Sequence, residues 1–105
     1  MQTVLIPVDG TPMPVTIDDH LADLQKYVGG YIEAVHIDEY VTFWVNEEGI
    51  LLDLPVNRLA SLLAQRALFG PVVVTGSSPS GMHLRPAPAD WVKHCATEQL
   101  RDVSS

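Results

Sequence analysis

The chain has 105 residues, 47% of them hydrophobic and 18% charged, which excludes a disordered tail and allows one modest core. Its 13 Asp and Glu against 6 Lys and Arg leave a formal charge of −7, which speaks against binding to a nucleic-acid backbone, where clustered cations are needed. A single cysteine, Cys95, excludes an internal disulfide and a CxxC metal site. No apolar run is long enough to span a membrane, and the opening MQTVLIPVDG lacks the basic segment of a signal peptide, so the expected address is the cytoplasm.

In chain order, the β-branched run TVLIPV (residues 3–8) predicts a strand that either lies near a sheet edge or ends near Pro7, because Pro7 lacks an amide donor. The turn formers DGTPMP follow, and Val15 to Ile17 predict a short strand returning antiparallel to the first. Asp18 is a candidate helix N-cap, with Leu21, Leu24, Tyr27 and Val28 at helical spacing behind it. Gly29 falls just past that helix, where a left-handed residue is wanted, and Gly30 lets the chain reverse. Phosphate-cradling glycines come after a strand and before a helix; here the order is helix, glycines, strand, so the pair reads as a helix stop.

YIEAVHI (31–37) alternates as a strand, Asp38-Glu39 turn it, and YVTFWV (40–45) is the richest strand signal in the chain. NEEG (46–49) predicts a further reversal with Gly49 left-handed, and ILLDL (50–54) a returning strand that completes a β-meander. Asn57 is placed to cap a second helix whose buried stripe would be Leu59, Leu62, Leu63 and Ala67, stopped by Gly70-Pro71. VVVTG (72–76) is a continuous apolar run and predicts a central strand. A Ser/Pro/Gly loop then leads to a last helix over 89–101 with Asp90 as its cap. The expected fold is α+β: an antiparallel sheet of about five strands with two helices packed on one face, in a single domain over 1–76, followed by a loop and C-terminal helical appendage over 77–105.

Three motifs carry a resemblance: VGGYIEAV with Gly29, Gly30, Tyr31 and Glu33, NEEG with Asn46, Glu47, Glu48 and Gly49, and LPVNR with Leu54, Pro55, Asn57 and Arg58. In this order and spacing, together with GPVVVTG, they resemble the domain-of-unknown-function family 3846, which looks common in bacteriophages, mobile elements and their bacterial hosts. The likeness spans Val4 to Gly76. It implies a fold and a phage or prophage setting, and no activity to transfer.

Chemistry in the residues themselves is sparse. His20, His36, His83 and His94 show neither HExxH nor i, i+4 pairing, so no metal or other cofactor is expected. His94 and Cys95 are adjacent on a helix and point apart. GSSPSG is no nucleophile elbow, because Pro79 interrupts it. Glu33, Glu47 and Glu48 could serve acid–base work if burial separated their pKa values, but a hairpin turn normally leaves such charges solvated. Asn57 and Arg58 at a helix start could hold an anion; the alternative is that Asn57 caps and Arg58 pairs with one of those glutamates. The expectation is a non-enzymatic accessory protein, phage- or prophage-encoded, that binds a host or phage protein. The candidate contact residues are Gly29, Gly30, Tyr31, Glu33, Asn46, Glu47, Glu48, Asn57 and Arg58. A binder of a small anionic ligand such as a nucleotide is the alternative, and an acidic DNA mimic a weaker one, since mimicry needs aligned carboxylates and these are scattered pairs.

Overall fold

The β-branched opening run forms β1 (Gln2–Ile6) in a computed structural model that describes residues 1–77 and 84–93. After the Pro/Gly turn, β2 (Met13–Thr16) returns antiparallel, with Thr3 opposite Val15. α1 (His20–Val28) precedes the hairpin of β3 (Ile32–His36) and β4 (Val41–Asn46). α2 (Arg58–Ala64) leads to β5 (Val72–Ser77), and β6 (Leu84–Arg85) pairs with the end of β5. The strand order is β2-β1-β5-β4-β3 and every pairing is antiparallel, so the α+β reading holds and VVVTG is the central strand. No helix among the described residues is long and apolar enough to cross a membrane.

The meander is not completed. Ile50 to Leu54 form turns held by local bonds, Leu52 N to Glu48 O at 2.9 Å and Leu54 N to Gly49 O at 2.9 Å. The reason is topological: β3 takes one edge of β4 and β5 takes the other, so no ladder is left for a returning strand. Gly49 is not left-handed; Asp53 is, at φ 55°. Gly49 is needed for a different reason, because a Cβ there would stand 3.2 Å from the Phe69 Cβ.

The sheet is covered on both faces rather than one. Val4, Ile6, Phe43, Val72 and Val74 pack with Ala60 of α2, whereas Val73, Leu5 and Trp44 meet Leu24 and Val28 of α1. The run Val72-Val73-Val74 is fully buried throughout, and a strand apolar on both sides must be covered on both sides. α1 starts at Asp19, not Asp18: the Asp19 side chain accepts from Ala22 N, and Asp23 Oδ2 reaches back to the amides of Asp18 and Asp19. Leu21 is exposed.

α2 departs further from expectation. Its buried residue is Ala60; Leu59, Leu62 and Leu63 face out, as does Ala67 beyond the helix end. It ends at Ala64, capped by a left-handed Gln65 well before Gly70. After β6, whose Leu84 packs with the α1-side cluster, Ala87, Trp91 and Val92 lie on the α2 side of the sheet. The Ala87 amide bonds to Gln2 O at 2.9 Å, and Trp91 meets Phe43 edge-on with centroids 5.8 Å apart. Residues 89–93 are helical, with Asp90 inside the first turn and not capping it. His83, His94, Cys95 and the loop after Ser77 lie outside the described residues.

Candidate functional site

The first motif is built around the end of α1. Gly29 adopts φ 83° and closes the helix, as its position predicts. Its amide and that of Gly30 both donate to Gln25 O, at 2.9 and 3.1 Å. Those amides are spent on the helix C-terminus, so this turn offers no donors to a phosphate. Asn46 ties the turn to β4: its Nδ2 donates to Val28 O at 3.2 Å and its Oδ1 accepts from Glu48 N at 2.8 Å. A Cβ at Gly30 would sit 3.0 Å from that Nδ2. Tyr31 O accepts from Glu47 N at 2.8 Å, leaving the ring exposed. The motif glycines and Asn46 therefore clasp helix to hairpin.

Beside this clasp is a cavity of about 290 Å³. Glu33, Glu47, Glu48 and Arg66 line it together with the apolar Ile50 and Leu51. Sequence reasoning named the glutamates and Asn46 but not Arg66, whose only signal is its place just beyond the left-handed end of α2. Four of the expected contact residues thus converge: Glu33, Asn46, Glu47 and Glu48. The charge balance around the cavity suits a cation or a hydrogen-bond donor better than a phosphate.

Asn57 and Arg58 lie elsewhere. Asn57 is fully buried; it accepts from Ala60 N at 3.1 Å and donates to Ile6 O at 2.9 Å and Gly70 O at 3.1 Å. All its polar capacity goes into joining β1, α2 and the loop before β5. Arg58 is exposed at the start of α2 and does not line the cavity with the three glutamates.

A second polar row crosses the α1 face of the sheet. His36 Nδ1 lies 3.1 Å from Thr42 Oγ1, which is hydrogen-bonded to Ser77 Oγ, and Trp44 Nε1 donates to Thr75 Oγ1 at 2.8 Å. Thr42 stands between His36 and Ser77, so the row satisfies buried hydroxyls and does not pair a nucleophile with a base. Among the described residues no three His, Cys, Asp or Glu are grouped closely enough to hold a metal.

The sequence model of the family described as Domain of unknown function (DUF3846) matches residues 1–98. The chain belongs to that family. The match runs past Gly76, where the motif likeness stops, and takes in the segment that carries β6, Ala87 and Trp91. Searches of curated proteins and of solved structures returned no match.

Proposed function

We propose that this member of the DUF3846 family is a non-enzymatic accessory protein that binds a protein partner through the surface between Ile50 and Leu63. One observation carries the reading. Among the described residues, seven of the eleven exposed large hydrophobics fall in that stretch: Ile50, Leu51, Leu52, Val56, Leu59, Leu62 and Leu63. Leu51 is 85% exposed and Leu62 76%. Single exposed leucines are ordinary, but seven large apolar side chains concentrated in one stretch support an interaction surface there. The glutamate-lined cavity adjoins it, since Ile50 and Leu51 belong to both. Such a surface suits a partner with apolar anchors and a basic rim. The motif resemblance supports a phage or prophage origin as part of this reading, and the lack of a signal-peptide pattern at the N-terminus supports the host cytoplasm as its setting.

The test compares the protein with a Leu51→Asp, Leu62→Asp variant as bait in host lysate. Both side chains are exposed, so the circular dichroism of the variant should match. A protein retained by the original chain and lost from the variant supports the proposal. Equal recovery by both baits sinks it. A nucleotide-induced rise in melting temperature that disappears in Arg58→Ala would return the reading to an anion binder.

A further inference from the structure

We infer that the chain pairs with a second copy of itself through β3, as an antiparallel dimer centred on Ala34. Among the described residues the main path of the sheet, with the two-residue β6 off it, ends in β2 on one side and β3 on the other, and these differ in chemistry. On β2 the main-chain bonds between Met1 and Ile17 run in both directions, 2.9 and 2.8 Å, which makes that a bonded pair. Antiparallel pairs alternate between bonded and non-bonded, so the outward-facing positions on β2 are Thr16, opposite Gln2, and Pro14, opposite Val4. Proline at the second of these removes one of the two outward donors a docking strand would need, which is how natural sheets blunt an edge.

β3 has no such device. Glu47 N bonds to Tyr31 O at 2.8 Å and Ile37 N to Val41 O at 3.0 Å, so Tyr31 and Ile37 pair inward. The register Ile32 to Asn46, Ala34 to Trp44 and His36 to Thr42 then turns the amides and carbonyls of Ile32, Ala34 and His36 away from β4. β3 contains no proline, glycine or lysine and is regular over its length.

The occupant is a second copy because the strand is self-complementary. A twofold axis at Ala34 places Ala34 opposite Ala34 of the second copy as a bonded pair, with Ile32 opposite His36 on either side. Glu33 then falls opposite Val35, so no like charges face each other, and the exposed Tyr31 ring gains Ile37 as a cross-strand neighbour. A regular β3 edge and a β2 edge blunted by Pro14 favour an assembly that closes at two copies over one that grows into a filament.

The experiment measures mass by sedimentation over a micromolar to millimolar series, together with amide exchange. The expected result is a dimer in which the amides of Ile32, Ala34 and His36 slow as concentration rises. The amides of β2 should be unchanged. Ala34→Pro removes an outward donor without touching the β3–β4 ladder and should weaken association by about tenfold or more, halving the mass at intermediate concentration. If that variant fails to fold, amide exchange in the unmodified chain decides. A monomer throughout the series overturns the proposal. So does a dimer in which those amides still exchange freely, or one that survives Ala34→Pro, because either would place the contact elsewhere.

Discussion

Asn57 shows how one polar side chain can look like a ligand contact and be a structural pin. Its cap on α2 is legible in the sequence, because Asn before a helical stretch accepts from an early helix amide. Its bond to Ile6 O is not legible, since those residues are 51 positions apart. Asn57→Ala removes the cap and leaves the carbonyls of Ile6 and Gly70 buried without their donor. The expected cost is about 3 kcal/mol, the sum of a lost cap near 1 and orphaned acceptors near 2. A urea denaturation midpoint drops accordingly. Asn57→Asp keeps an acceptor for Ala60 but has no donor for the two carbonyls, so it does not rescue. An unchanged midpoint in the alanine variant would return Asn57 to the list of binding residues.

At the scale of elements, α2 is where hydrophobic periodicity misleads. Leu59, Leu62 and Leu63 recur at helical spacing and predict a core stripe, yet the helix turns Ala60 inward and the leucines outward. Period fixes which residues share a face; it does not say which face meets the sheet. Here Asn57 sets the orientation, since its bonds to β1 and to Gly70 fix where the first turn lies, and a small residue allows close approach to Val4 and Val72. Two substitutions separate the alternatives by thermal denaturation. Leu62→Ser should change stability by no more than about 0.5 kcal/mol, as for exposed sites generally. Ala60→Leu should cost about 1–3 kcal/mol by overpacking. The opposite ranking would restore the leucine stripe to the core.

For the whole molecule, residues 84–93 are part of the packed structure. Trp91 rests against Phe43, Ala87 is buried, and β6 continues the edge of β5 beyond the end of β1. The Ser/Pro/Gly break before it signals a loop, and a loop need not be a boundary. Trp91 is only half-buried, so Trp91→Ala should cost about 2 kcal/mol, below the 3–5 typical of a fully buried aromatic. In a chain of this length that is a fall of roughly 10 °C in melting temperature. Melting unchanged from the parent would detach the segment and leave residues 1–76 as the folding unit.

Local chemistry was enough to read the five strands of the main path, both helix starts to within a residue, the left-handed stop at Gly29 and the central place of β5. Each of these depends on neighbours in sequence: β-branched runs, a capping side chain, a glycine past the last apolar turn, an unbroken valine run. Only the tertiary structure decided that β5 takes the free edge of β4 and so denies Ile50–Leu54 a ladder. It alone placed the helices on opposite faces, brought Arg66 to the three glutamates and left the α2 leucines in solvent. The physical reason is common to all of these. Edge pairing, facing and pocket assembly are competitions between segments far apart in the chain, and no local signal records which segment wins.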